Sequence, residues 1–563
     1  MTEFTAYNAA THPIIKKEDD YNNILDHAFE KSASYITRKN GSYYEAIHGS
    51  TGKISFGGSG NAGGVSGTDA SAVIQAALNG LTAGRTWKEK VVVKGNIFFS
   101  TTSLNIPSYT ILDLSQAKIS GFTATPIAIT GTKTDIEIIG GKLISSGVPT
   151  SVGFISTAGE MTNLSIHDCY FEGNYWSSFP TQAVPTVDDF GILISGGAKN
   201  LQIYNIQAKN IGNIVWANGG MSAWTSENWD IHDIFGEEVN GAVYVRSTCL
   251  LTQNAQVSNI LVNKWWDNIV EVAATNGGAA ANAGEIRGVD VAHITGYNGA
   301  GSAGGVAFVA VDVTEPGCKL HGITVDDVFV MANRGYAGVE GLCFHAWRSN
   351  ASGNDVYDFT VTNLHGVNLN VGVECNGVFV TGNYGGIIEN VILDNIYSMG
   401  LRTINVPGAP YRPLHYKDIY INLNVAATNS IYNQANLQSI AGVLYTHIKV
   451  LHAAAQNVIA DSVGGGNTVT VEYSYLEWIF NTFSLSSTIS RWKGRGGENL
   501  LTGKTVNIAQ VTIPHGLQII PTNIQVIMTS AGQIWRSAAS DITNIYLSAD
   551  ANGRTCDIYV SKE

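Results

Sequence analysis

His345, Glu374 and Arg402 are side chains of the kind that grip or cut a sugar chain, and they sit in three successive glycine-opened segments, GLCFHAW from Gly341, GVECNGV from Gly372 and GLRTINV from Gly400. If these segments stack as strands, neighbours lie about 4.8 Å apart and residues two apart share a face. Cys343 with His345, Glu374 with Asn376, and Arg402 then form one patch, with Trp347 and Arg348 just beyond His345. An earlier group holds Tyr244 and Arg246 in GAVYVRS and Glu271 in NIVEV, flanked by Trp265, Trp266 and Asp267, with Asp312 of VAVDVTEPG on the segment between the groups. Counted from the opening Gly or Asn, Tyr244 and Glu271 point inward. Either a bulge slips the phase there or the register is wrong, and the cost of an unpaired inward carboxylate favours the slip.

Glycoside hydrolysis needs two carboxylates about 5 to 9 Å apart, one acid and one base or nucleophile. Glu374 with Glu271 or Asp312 supplies such a pair, with His345 assisting catalysis and Arg246, Tyr244, Arg402, Asn376, Trp347 and Arg348 binding substrate. β-Elimination needs instead a base beside a uronic carboxylate and cations to hold the developing charge. Tyr244, His345, Arg246 and Arg348 are the types it would use. A hydrolase calls for no metal or other cofactor. A calcium-assisted lyase calls for clustered carboxylates, and Asp188 with Asp189 is an adjacent pair just before a strand. The six cysteines fall in no CxxC pair, so they read as buried free thiols rather than a zinc site.

The elements that must carry these groups repeat. NLSIHDCYF from Asn163, NLQIYNIQA from Asn200, NWDIHDIFG from Asn228, NILVNKWWD from Asn259 and GVDVAHITG from Gly288 lay over one another, and five further segments continue the series to HIKVLHAAA from His447. The first apolar positions, from Leu164 to Ile448, recur at intervals of 28 to 37 residues. A motif that persists while its spacing varies by insertion is that of a solenoid rung with loops at fixed corners. Four residues after the first eight apolar starts stand Asp168, Asn205, Asp233, Lys264, His293, Asp327, Asn363 and Asn395, a polar column suited to turns. A second, glycine- or asparagine-opened strand follows in each rung. Trp216 on that strand reads as core filling, and polar groups on its outer face are where function is sought.

Bulk properties agree. Charged residues make up 14% of the chain against about 25% on average, and 62 of the 563 residues are glycine, as tight turns between stacked strands require. A net charge of −13 argues against a nucleic-acid partner, which needs clustered Lys and Arg. No apolar run nears the roughly 18 residues of a membrane span, and the first residues lack a secretory signal. Residues 1–66 read as a leader or docking segment, with a short helix near Asn23 to Ser32 and a Gly/Ser-rich loop over 41–66. Residues 67–498 read as the solenoid, opened by a helix capped by Thr68 or Asp69 whose face is Ala72, Val73, Ala76, Ala77 and Leu78. Residues 499–563 alternate strongly and read as a small β-sandwich.

This order of GTDASAVIQAAL helix, long run of rungs and terminal module with VTIPHGL, PTNIQV and DITNIYLSA resembles the pectate-lyase-like family, in particular the phage tailspike depolymerases. The resemblance implies an all-β chain built on a right-handed parallel β-helix. It implies a protein that binds or cleaves an extracellular or capsular polysaccharide, often as a homotrimer, either as a virion tail component or secreted. It hands over no catalytic residues, and the polygalacturonase set of NTD, paired Asp, HG and RIK is not present together. A hydrolase is the leading expectation, with a uronic-acid lyase and a non-catalytic glycan-binding tail protein as the alternatives.

Overall fold

The computed structural model describes residues 33–479 and 498–561, apart from short inter-strand segments of which 180–188 is the longest. Among the described residues thirty-one strands join one continuous sheet, and from Glu89–Phe98 onward each strand of that sheet pairs in parallel with the strand one rung away. The chain is a parallel β-helix. No helix among the described residues is long and apolar enough to cross a membrane.

Strand Ala198–Asn218 shows why the sequence coils this way. Leu201, Ile203, Ile206, Ala208 and Ile211 face the interior while Gln202, Gln207 and Lys209 are exposed. Alternation alone would give a straight strand, but Asn200, Asn205 and Asn210 take φ of 56°, 52° and 51° and bend it every five residues. Asn and Asp tolerate this left-handed region better than other side-chain-bearing residues. The amides also bond along the stack. Asn163 donates to Asp135, Asn200 to Asn163 at 2.8 Å, and Asn228 to Asn200 at 3.0 Å. Asn205 donates to Asp168, Asn259 to Asp233, and Asn390 to Asn363. Lys264 pairs with Glu238, and Asn395 donates to Asn368.

Each rung therefore feeds three ladders, and the expected polar column crosses between two of them. Trp229 pairs with Ala255 while Ile234 pairs with Ile260, and Phe359 pairs with Gly386 while Leu364 pairs with Val391. Four of the ten overlaid rungs, those starting at Ile260, Val391, Ile419 and Ile448, were thus matched five residues out of register, which puts Lys264 and Asn395 on a different ladder from Asp168 and Asn205. The cause is the five-residue similarity within each rung. Asn200→Val should cost about 2 kcal/mol, because a β-branched residue is strained at positive φ and two ladder bonds go with it. Asn200→Gly, which keeps the turn, should lose clearly less, as read from urea unfolding midpoints.

Inside, Leu164, Leu201, Trp229, Val289, Ile323 and Phe359 belong to one continuous apolar core. Trp265 lies in it at 0% exposure. Cys169, Cys318, Cys343, Cys375 and Cys556 are free and buried, while Cys249 lies outside the described residues. Cys343 is thus a core residue rather than part of an outer patch.

The helix spans Ala70–Asn79, with the Asp69 side chain accepting from the Ala72 N–H. Its buried apolar face is Ala70, Val73, Ile74, Ala77 and Leu78, whereas Ala72 and Ala76 are half-buried. The stretch 41–66, expected as loop, contains strands Tyr43–His48 and Ile54–Gly57, and Tyr35–Asn40 pairs in parallel with Glu89–Phe98. Its glycines accommodate turns between strands rather than a structureless linker. The helix expected near Asn23 to Ser32 lies outside the described residues. At the other end, two three-stranded antiparallel sheets follow the solenoid.

Candidate functional site

The second strands of the rungs stack into one face, and their pairing assigns every candidate residue a place. Trp216, Tyr244, Glu271, Ala310, His345, Glu374, Arg402 and Tyr432 are successive partners in a single column. Two residues along each strand runs a parallel column of Arg246, Ala273, Asp312, Trp347, Asn376, Ile404 and Gln434. Val245, Val272, Val311, Ala346, Cys375 and Thr403 lie between the columns and point to the interior, where they are 0% exposed. Alternation thus aims both polar columns outward.

The two groups seen in the sequence are therefore one strip. Tyr244 and Glu271 do not point inward, and no bulge is needed to turn them, since Val243–Ser247 pairs with Val270–Ala274 without a slip. The opening Gly or Asn misleads because it stands three residues before Tyr244 and Glu271, four before His345 and two before Glu374 and Arg402. Trp216, expected in the core, is half-buried on the outer face of the same column.

At one end of the strip, Glu271 is 6% exposed. Arg246 Nη2 lies 2.6 Å from its Oε1 and Asn268 Nδ2 donates to its Oε2 at 2.7 Å. Burial pushes the Glu271 carboxyl up, the Asp312 and Asp267 charges push further, and Arg246 and Asn268 pull back, leaving it at about 7. The Arg246 guanidinium is held from behind, 4.0 Å from the centroid of Trp216, which stacks on Tyr244 at 4.9 Å and takes the edge of Phe190 at 5.2 Å. Tyr244 donates to Asp267 Oδ2 at 3.1 Å, and burial with the Asp267 and Glu271 charges raises its hydroxyl well above the usual tyrosine value.

Further along, His345 lies between two carboxylates, with Nδ1 3.8 Å from Asp312 Oδ1 and Nε2 3.4 Å from Glu374 Oε1. Burial works against the imidazolium, but the Glu374 hydrogen bond and the two carboxylate charges outweigh it and raise the His345 pKa. Glu374 is 8% exposed. Its Oε2 takes Arg402 Nη1 at 3.0 Å, and Arg402 Nη2 donates to Gln434 at 3.1 Å. Burial alone would raise the Glu374 carboxyl, yet His345 and Arg402 hold it below the ordinary value.

Asn376 is half-buried at the outer column. Trp347 and Arg348 lie on the strand paired with Asp312 and Val313, but their side chains are outside the described residues. Asn268 and Gln434 were missed by the sequence reading. Asn268 looked like a strand opener, and Gln434 in NSIYNQA is found only by carrying the column one strand past Arg402. Among the described residues no group of three or more His, Cys, Asp or Glu is placed to hold a metal ion. Asp189 is 1% exposed, and its neighbour Asp188 lies outside the described residues.

The class the fold and strip define is a parallel β-helix with a carboxylate-, arginine- and histidine-bearing outer face. No family model and no curated protein matches the chain. Among solved structures it is similar to a variant of the tailspike protein of E. coli bacteriophage HK620 in complex with a hexasaccharide, at 9% identity and a TM-score of 0.42 over 96% of this chain and 94% of that one. The A-module of the mannuronan C-5 epimerase AlgE6 of Azotobacter vinelandii follows at 12% identity and a TM-score of 0.39 over 75% and 96% of the two chains. A polygalacturonase of Erwinia carotovora gives 12% and 0.27 over 76% and 94%.

Proposed function

We propose that the protein is a polysaccharide depolymerase that hydrolyses glycosidic bonds along this strip, with Glu271 as general acid and Asp312 as general base. The observation that carries this reading is Glu271 itself, a buried carboxyl at about 7 whose proton is favoured by the nearby Asp312 charge. It is protonated often enough at neutral pH to donate, beside a second carboxylate. Glu271 and Asp312 stand on adjacent strands, two residues apart in register. Backbone spacing separates the two Cα positions by about 8 Å, and both side chains leave the same face, as an inverting pair that holds a water between its carboxyl groups requires.

In the proposed step the Glu271 proton passes to the glycosidic oxygen as its bond to the anomeric carbon breaks. A water oxygen forms the new bond to that carbon from the opposite face and gives its proton to Asp312. Glu271 ends ionised and Asp312 protonated, and exchange with solvent restores both. From Tyr244 to Arg402 the strip spans five strand spacings, about 24 Å, which suits an extended glycan rather than a single sugar.

The lyase reading has less support. Its two candidate bases, His345 and Tyr244, both hold their protons more tightly than usual, and both described arginines are engaged by carboxylates of the strip. A panel of capsular and plant polysaccharides separates the readings. New reducing ends without new ultraviolet absorbance are expected, unsaturated products would mean a lyase, and binding without products a tail adhesin. Product anomers followed by proton NMR should be inverted relative to the cleaved linkage. The resemblance noted in the sequence further suggests a homotrimer outside the cell, on a virion tail or secreted, which sedimentation velocity checks for the trimer.

A further inference from the structure

Resting on the hydrolase reading, we propose that Glu374 and Arg402 are positioning residues that hold His345, and through it Asp312, so that Asp312 rather than Glu374 serves as the base. Glu374 has the right chemistry but the wrong surroundings. Each of its oxygens already faces a cationic group, Oε1 the imidazole at 3.4 Å and Oε2 the guanidinium at 3.0 Å. Taking a proton from water would disrupt one of those contacts in a nearly dry site, where leaving a charge uncompensated is expensive. It also stands three strands from Glu271, a separation of about 14 Å, too far for a shared water.

What Glu374 can do is fix a ring. His345 occupies the strand between Asp312 and Glu374 and presents one nitrogen to each. Arg402 holds the far side of Glu374 and is itself anchored by Gln434 on the next strand. The chain Gln434–Arg402–Glu374–His345–Asp312 thus crosses five strands and ends at the residue coupled to Glu271. Its imidazole end faces Asp312 at 3.8 Å, and the Asp312 charge in turn favours the proton on Glu271. One end of the strip thereby sets the protonation pattern at the other.

The test does not require the substrate. In the full-length chain with 13C-labelled histidine, the His345 resonance is assigned by its loss in His345→Gln and titrated with pH. Glu374→Gln should lower its midpoint by about one pH unit or more, because an anion is gone. Arg402→Gln should raise it, because a repelling cation is gone. Opposite movements are not what general loosening of the site produces. With a cleaved polysaccharide in hand, Glu374→Gln should shift the acidic limb of kcat upward yet keep turnover at the optimum within about tenfold, while Asp312→Asn loses turnover at every pH. An unmoved His345 midpoint in Glu374→Gln overturns the positioning chain, whether or not any glycan is cleaved. Equal loss of turnover in Glu374→Gln and Asp312→Asn at every pH overturns it as well. If no polysaccharide is cleaved but the two midpoints move as stated, the hydrolase reading fails and the positioning chain stands.

Discussion

Glu271→Gln should lower turnover by about 10²- to 10⁴-fold, the usual worth of a general acid, and abolish the alkaline limb of the pH profile. In the wild type that limb falls as pH rises through about 7, because the donor must be protonated. The same substitution should change stability in a pH-dependent way. The carboxyl titrates at about 7 when folded against a model value of 4.5, so the folded chain binds a proton that the unfolded chain has released between those values. Stability therefore declines as pH rises across that window and is unaffected below it. Glutamine carries no charge to desolvate. It should match the wild type near pH 4 and gain on the order of 3 kcal/mol above pH 7. Equal gains at both pH values, in chemical unfolding monitored by circular dichroism, would mean that the charge of Glu271 is not what the fold opposes.

Asp312→Asn is expected to be as damaging to turnover, for a different reason, and its signature lies in the pH profile of the residual activity. Removing the Asp312 charge removes one of the influences that raise Glu271, so the alkaline limb should move below its wild-type position. Arg246→Met removes the cation 2.6 Å from Glu271 and should move the limb the other way by about one pH unit or more. Kinetics of kcat/KM against pH decide the matter. Movement of both limbs in the same direction would show that Glu271 is not the group being read. Arg246→Met should also raise KM, since the guanidinium stacked on Trp216 borders the strip.

Much of the fold was legible because inward apolar residues, outward polar residues and turn asparagines are each set by a local requirement. The register was less legible. With Asn200, Asn205 and Asn210 all bending the backbone in the same sense, a five-residue shift looks almost as good as the true alignment, and only pairing such as Trp229 with Ala255 resolves it. The site was partly legible for a related reason. His345, Glu374 and Arg402 were placed on one face because their opening residues stand an even number of positions before them, although His345 pairs with Glu374 and not with Asn376, whereas the odd offset before Tyr244 and Glu271 turned those two to the wrong face. Arg246 and Asn268 around Glu271 depend on side-chain conformation across strands, for which the sequence carries no signal.

The stacked ladders bear on how such a chain comes to exist. Partners such as Asn205 with Asp168, Asn259 with Asp233 and His447 with Asp418 are 37, 26 and 29 residues apart, so these ladder contacts close loops of similar size and none of them waits for the two ends of the chain to meet. Growth can start at any rung and proceed by addition, each completed coil serving as the template for the next. The hazard moves to the growing tip, where a row of unpaired backbone groups is open to another chain until the next coil covers it. Truncations within a rung should therefore fail by aggregation during synthesis, while those that end at a rung boundary and keep a terminal module fare better.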